Sequence, residues 1–153
     1  MQQYQCKYFR IEELVSQQVF EIYRNRQHIL WQQFDPRALY SLDMIREFVV
    51  SNGFSKSVLI NTWIWGGHRQ FSGLRLPGDD HYSQTSQHSH GRGFDATYAG
   101  IDTDYLRDYI IKNPQKHEFR YITCIELDTP TWLHIDTRNW DKEINGVLQV
   151  PWK

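Results

Sequence analysis

The sequence has little cysteine, almost no net charge and no long apolar run. Its two cysteines, Cys6 and Cys124, form neither a CxxC pair nor a disulfide framework, which favours a reduced protein. Seventeen Lys and Arg against eighteen Asp and Glu give a net charge of −1, so we expect no nucleic-acid partner. The most apolar run, residues 57–65, is too short to span a bilayer, so we expect no membrane insertion.

The N-terminal stretch is also poor in apolar residues. Residues 1–5 (Met-Gln-Gln-Tyr-Gln) lack the apolar core of a secretory signal peptide. We therefore expect synthesis in the cytoplasm, and a role outside it would need another means of delivery. What the chain does have is a hydrophobic content of 40% and an aromatic content of 15%, which is ample for a packed core. A length of 153 residues suits a single domain over residues 1–153.

Three stretches have helical patterns. Apolar residues recur at helical spacing over residues 11–23. A second helix is predicted to begin at Asp35 and Pro36, which are typical N-cap and first-turn residues, and to stop before Gly53. Asp102 is the predicted N-cap of a third helix.

The remaining apolar stretches favour strands. The predicted strands cover residues 57–64, 94–97, 121–127 and 132–137. Asp128-Thr129-Pro130 suits a hairpin turn between the last two, and residues 66–86 form a long loop of the kind that often carries function. Residues from Asn139 onward have no clear pattern. The order of elements predicts an α+β fold in which N-terminal helices pack on a mostly antiparallel sheet.

Metal-ligating side chains are concentrated next to two glycines. His88 and Asp95 are seven residues apart, and the chain between them contains Gly91 and Gly93. Glycine permits tight turns, so the two side chains can converge there. Imidazole nitrogen and carboxylate oxygen are both suitable ligands for Zn²⁺.

A third ligand is expected in the last predicted strand. Side chains alternate along a strand, so Trp132, His134 and Asp136 share one face while Leu133 and Ile135 pack on the other. His134 is therefore the natural partner of the first two ligands. Three protein ligands leave one position for water, which is typical of a catalytic zinc site.

The pattern Ser86-x-His88-x-x-Gly91-x-Gly93-x-Asp95 resembles the SxHxxGxAxD signature of M15-type zinc D-Ala-D-Ala carboxypeptidases and related phage endolysins. Gly93 stands where that family has alanine. Residues 132–136 resemble its second zinc element, and the resemblance covers about residues 35–140. It implies a Hedgehog/DD-peptidase-like fold and zinc-dependent hydrolysis of peptide bonds in bacterial peptidoglycan.

The resemblance leaves the general base open. Many members of that family have a glutamate three residues before the last zinc histidine, where this chain has Thr131. The nearest carboxylates are Glu126 and Asp128. We predict Glu126, because related phage enzymes keep a glutamate in the preceding strand, whereas Asp128 also suits the turn. Asp136 is expected to orient a metal ligand.

The family also implies an arginine upstream of the first zinc histidine that binds substrate or steadies the developing oxyanion. Arg75 and Arg69 compete for that role, and we prefer Arg75. His90 is expected to line the cleft or face solvent, although it is also a candidate fourth ligand. His81 and His68 are expected to be ordinary loop residues.

Two functions follow from the resemblance. The first is a phage-encoded zinc peptidase, either a D-Ala-D-Ala carboxypeptidase or a stem-peptide endopeptidase, released to the cell wall or associated with a virion. The second is an inactive zinc-binding module of a phage particle that holds the wall or other virion proteins without cutting. The absence of the usual glutamate at position 131 favours the second. Peptide hydrolysis distinguishes them.

Overall fold

The computed structural model of the chain describes residues 3–152 and combines helices with one sheet. Over that range the α-helices are α1 (Gln17–Tyr23), α2 (Gln27–Gln32), α3 (Pro36–Ser51), α4 (Thr103–Lys112) and α5 (Lys142–Asn145). The strands are β1 (Val58–Leu59), β2 (Gly93–Tyr98), β3 (Cys124–Leu127), β4 (Leu133–Asp136) and β5 (Leu148–Pro151). Short 3-10 turns lie at Ile11–Glu13, Trp63–Trp65, Gln87–His90 and His117–Phe119. The α+β class is as predicted.

The five strands found between residues 3 and 152 are ordered β1-β2-β4-β3-β5. The pairs β1–β2, β2–β4 and β4–β3 are antiparallel, and β3–β5 is parallel. The prediction of a mostly antiparallel sheet is therefore corrected to a mixed sheet. The physical reason is that the chain leaves β4, passes through α5 and returns beyond β3, in the direction of β3.

The longest helix, α3, is also the one with the clearest start and stop signals in the sequence. The Asp35 side chain accepts a hydrogen bond from the Arg37 backbone N–H, and Pro36 opens α3, as expected for a capped start. Gly53, just past the end of the helix, has a φ of 84°. The face of α3 that carries Leu39, Leu42, Ile45 and Val49 is buried.

Several predicted bounds are wrong. The helix expected over residues 11–23 is a 3-10 turn followed by α1, because the Ser16 hydroxyl accepts from the Val19 N–H and starts a new helix. The strand expected over residues 57–64 shrinks to β1, since Asn61 instead bonds the N-terminal segment through its side chain and backbone. The predicted strand at 121–127 begins only at Cys124.

The buried core joins the helices to the sheet. Phe34, just before α3, stacks on Phe94 of β2 with ring centroids 5.7 Å apart. Phe48 of α3 packs edge-on against Phe119 at 5.0 Å. Both faces of β4 are buried, which places its polar side chains inside the molecule. Across residues 3–152, no helix is both long and apolar enough to cross a membrane.

The C-terminal segment, which had no clear sequence pattern, is held by a buried lysine. Lys142 Nζ donates to the backbone carbonyls of Pro114, Phe119 and Arg120 at 2.8, 2.9 and 2.9 Å. Burial lowers the pKa of this lysine to about 8. These bonds fix α5, and β5 follows it onto the outer side of β3.

Candidate metal centre

Three side chains that are distant in sequence meet in one cluster. His88 lies on the 3-10 turn Gln87–His90, Asp95 on β2 and His134 on β4. The antiparallel register places Asp95 directly opposite His134. One ligand atom from each of the three residues lies within 4.8 Å of the others, so the group can hold a metal ion. The predicted convergence of these three residues is confirmed.

Gly91 makes the turn between the first two ligands. Its φ of 65° lies in the left-handed region, and a Cβ there would lie 2.1 Å from the Gln33 carbonyl oxygen. Only glycine allows this approach. The Gly91 carbonyl in turn accepts a hydrogen bond of 3.0 Å from the Asp35 N–H, so the turn that follows His88 is held by the start of α3.

A backbone carbonyl orients the His88 ring. His88 Nδ1 lies 2.9 Å from the Gly73 oxygen, which can only accept, so this nitrogen carries the proton. The other nitrogen, Nε2, faces Asp95 Oδ2 at 3.3 Å. The arrangement needs a glycine at position 73, since a Cβ there would lie 2.2 Å from the Leu14 carbonyl oxygen.

A carboxylate orients the His134 ring in the same way. His134 Nε2 lies 3.0 Å from Asp136 Oδ2, and Nδ1 lies 2.8 Å from Asp95 Oδ1. Asp136 is fully buried and is itself held by the Arg138 guanidinium, at 2.8 Å from Nε and 2.5 Å from Nη2. Histidine ligands of metals commonly donate their other N–H to such a carboxylate. The predicted orienting contact between Asp136 and His134 is therefore present.

The electrostatics of the cluster pair an ionised Asp95 with a positive charge on the His134 side. Burial raises the pKa of Asp95, but His88 and His134 outweigh it and hold that pKa well below its usual range. Burial lowers the pKa of His134, but the hydrogen bonds to Asp136 and Asp95 dominate and raise it to about 10. Two lone pairs cannot face each other, so the contact between His134 Nδ1 and Asp95 requires a proton or a metal ion.

A cavity of about 550 Å³ opens onto the cluster. Its walls include His88, Asp95, Arg75 and Glu126. Of the two candidate bases, Glu126 thus lies at the site. Asp128 is exposed in the β3–β4 turn with a φ of 59°, the left-handed conformation that aspartate tolerates in turns, and it does not line this cavity. Thr131 is exposed.

Arg75, the preferred candidate for the upstream arginine, lies beside the cluster, and its role stays a prediction. Its Nη2 lies 3.8 Å from Asp95 Oδ2, and its Nε donates to the Phe71 carbonyl at 2.7 Å. Burial lowers the pKa of its guanidinium. The Phe71 carbonyl therefore holds the guanidinium in a position where Nη2 faces Asp95.

The other histidines differ from the sequence prediction in two respects, one of which is that His68, expected to be an ordinary loop residue, lines a second cavity of about 240 Å³ beside Asp95. His90 lies outside the cluster, with Nε2 2.7 Å from the Gln84 carbonyl. His81, expected to be an ordinary loop residue, lines the cavity with a φ of 63°. Trp152, which follows β5, also lines it and packs edge-on against Trp132 at 5.5 Å. No sequence pattern placed Trp152 at the site. For His81 the one available signal was its nearness to His88 and His90 in the sequence.

Comparison with known proteins adds no assignment. No family model matches the chain, and neither a curated protein nor a solved structure matches it. The resemblance to M15-type peptidases therefore stays a prediction that depends on the motif residues and on the site they build.

Proposed function

We propose that the chain is a zinc-dependent peptidase that hydrolyses peptides of bacterial peptidoglycan and has a Hedgehog/DD-peptidase-like fold. One observation carries the proposal: Gly73 and Asp136 turn His88 Nε2 and His134 Nδ1 toward the same carboxylate, Asp95. Two imidazoles and one carboxylate are a common ligand set for catalytic zinc and leave a fourth position open. The peptidoglycan substrate comes from the motif resemblance.

The donor set fits zinc better than harder cations. Two imidazole nitrogens favour Zn²⁺ over Mg²⁺ or Ca²⁺, which prefer oxygen ligands. When bound, zinc would polarise a carbonyl group and lower the pKa of water. His88, Asp95 and His134 would hold it.

The side chains around the cavity supply the rest of the chemistry. Glu126 would take the proton of the water that attacks the peptide carbonyl, and return a proton to the leaving amine. The Arg75 guanidinium would stabilise negative charge as it develops on the carbonyl oxygen. Both side chains line the cavity at the cluster, which supports these roles.

The second candidate is a zinc-organised module that binds the wall, or other virion proteins, without cutting. Thr131 favours it, because the glutamate that serves as base in many M15 enzymes is missing from that position. The position of Glu126 on the cavity wall favours the peptidase instead. The two candidates give different results with the same substrate.

The test is incubation of the zinc-loaded protein with purified muropeptides, with detection of new amino groups. We expect turnover in the wild type and loss of both zinc and turnover in His88→Ala. Cleavage that persists in His88→Ala and in the presence of a chelator would reject the mechanism. Zinc binding and muropeptide binding without any turnover would establish the second candidate.

Glu126→Gln and Asp128→Asn form a matched pair, since each removes one carboxylate from the same hairpin. We expect Glu126→Gln to lower kcat by about 10²–10⁴-fold with zinc still bound, because proton transfer is lost. Asp128→Asn should leave kcat unchanged. The reverse result would make Asp128 the base.

A further inference from the structure

Part of the cavity at the metal centre is built by the C-terminal end of the chain. The lining of this cavity of about 550 Å³ includes the apolar side chains of Trp132, Pro151 and Trp152 besides its charged and polar groups. The motif resemblance ends near residue 140, whereas β5 and Trp152 come after it. The indole of Trp152 is therefore a part of the cavity for which the motif implies no role.

The sheet holds the backbone of Trp152 beside the cavity. β5 pairs in parallel with β3, the strand that carries Glu126, and the register places Pro151 opposite Leu127. The Trp152 N–H then donates to the Leu127 carbonyl at 3.1 Å. A ligand in the cavity would thus meet a tryptophan whose backbone is already ordered, which lowers the entropic cost of binding.

The Trp152 side chain is braced by a second indole and is otherwise open. Its ring packs edge-on against Trp132, with centroids 5.5 Å apart and an interplanar angle of 85°. The Arg69 guanidinium carbon lies 5.5 Å from the Trp132 ring centroid and so supports that ring in turn. Even so, 43% of Trp152 stays exposed. A single exposed apolar residue is ordinary, but a braced indole at a polar cavity offers a flat apolar surface to whatever enters.

The group that suits this surface is a sugar ring. The proposed substrate contains short peptides and the glycan to which they are attached, and a D-Ala-D-Ala peptide has only methyl side chains to cover an indole. A pyranose ring has a flat face of C–H groups and hydroxyl groups along its edge, so its face can pack on an aromatic ring while its edge needs polar partners. Ser86 and His81, which line the same cavity, can supply them.

We propose that Trp152 is a specificity-determining residue that stacks on a sugar ring of the peptidoglycan substrate. The inference rests on the proposed peptidase function and deepens it, because it makes the glycan-linked peptide a better substrate than the free peptide. The stacking contact is the same before and during bond cleavage. It should therefore lower KM and have little effect on kcat.

The test compares one stem peptide in two forms, free and attached to its disaccharide. Wild type should cleave the disaccharide-linked form with a kcat/KM about 5- to 10-fold higher, because one apolar ring face is buried on the indole. Trp152→Ala should bring this ratio close to one, and Trp152→Phe, which keeps a smaller aromatic face, should restore part of it. A purely structural role would lower both rates equally in Trp152→Ala and keep the wild-type ratio, which would reject the proposal.

Trp65→Ala is the matched control. Trp65 is also an exposed tryptophan, at 56%, but it lines a different cavity, together with Tyr8 and Arg46. This variant should keep the wild-type ratio. A ratio of one in the wild type would overturn the inference. A preference for the free peptide that depends on Trp152 would overturn it too, since the indole would then pack on the peptide.

Binding of the disaccharide without its peptide separates this inference from the proposed function. The disaccharide is titrated into zinc-loaded protein while the indole N–H signals are followed by NMR, and the Trp152 signal is identified by its absence from Trp152→Phe. We expect the Trp152 signal to shift and the Trp65 signal to stay in place. If the shift is seen but no peptide is cut, the peptidase proposal fails and the sugar subsite stands. If peptides are cut but neither the ratio nor the Trp152 signal responds to the sugar, only the subsite proposal fails.

Discussion

Replacement of Asp136 by asparagine should weaken zinc binding without contact between the new side chain and the metal. The Asp136 carboxylate accepts from His134 Nε2 and from three Arg138 donors: the backbone N–H, Nε and Nη2. Asparagine has one acceptor oxygen and two N–H donors. Its oxygen can take the place of Oδ2, which contacts His134 Nε2 and Arg138 Nη2, but its NH2 group then faces the Arg138 N–H and Nε donors in place of Oδ1.

The size of the effect follows from this conflict. Arg138 is partly exposed and can turn to water, whereas the buried His134 ring would donate to a neutral amide oxygen instead of a carboxylate. Mutation of the second partner of a metal-ligating histidine typically costs about 10- to 100-fold in metal affinity. This corresponds to ~1.4–2.7 kcal/mol of binding free energy.

The assay is competition for zinc between the protein and a chromophoric chelator at neutral pH. Asp43→Asn is the matched control, because Asp43 is equally buried and accepts from Tyr4 Oη and the Lys7 and Tyr8 N–H groups, away from the cluster. It should lower thermal stability and leave zinc affinity intact. Wild-type affinity in Asp136→Asn, or an equal loss in Asp43→Asn, would refute the orienting role.

Three further predictions concern the pH dependence of zinc affinity, the pH dependence of stability and the backbone at Gly91. Zinc affinity should rise about tenfold per pH unit from near neutrality toward pH 10, because zinc displaces the proton from His134, whose pKa is raised to about 10. In the zinc-free protein the raised pKa of His134 also contributes to the free energy of unfolding. This contribution is complete below pH 6.5, the ordinary pKa of histidine, and is lost as the pH rises through about 10. Urea denaturation at several pH values would measure it. Gly91→Ala should destabilise the protein by more than Gly53→Ala does. At Gly53 the space is open, so alanine costs only about 1–2 kcal/mol for the left-handed backbone. At Gly91 a Cβ would also meet the Gln33 carbonyl oxygen at 2.1 Å. Equal urea midpoints for the two variants would contradict this account.

Sequence patterns predicted the elements whose ends are determined by interactions between residues close together in the chain. Asp35 and Pro36 start a helix through their own hydrogen bonds and geometry, so α3 was found almost to its ends. The run at residues 57–64 is rich in β-branched and aromatic residues, which favour a strand, so its strand was overestimated. There, Asn61 and Trp63 are drawn to the Val15 carbonyl, a tertiary contact that composition does not reveal.

The C-terminal strand escaped prediction for a related reason. Lysine normally faces water, yet Lys142 is buried and bound to three carbonyls from a turn some twenty-five residues earlier. The sequence does not reveal this contact, so neither α5 nor β5 was predicted. For the same reason Trp152 could not be placed at the site. The three residues of the candidate metal cluster were found because their chemistry and spacing were sufficient, and the orienting role of Asp136 was expected from its place on the strand. The orientation of His88 by the Gly73 carbonyl emerged only in three dimensions.

The extent of the buried core limits how far the chain can be truncated. The motif resemblance covers about residues 35–140, but the apolar interior extends from Phe9 to Val147. A fragment trimmed to the recognisable region would uncover α3 and strip β5 from β3, leaving an open row of backbone donors and acceptors. Bare strand edges of this kind promote self-association. Such an excised fragment should therefore precipitate instead of folding, even though every ligand is retained.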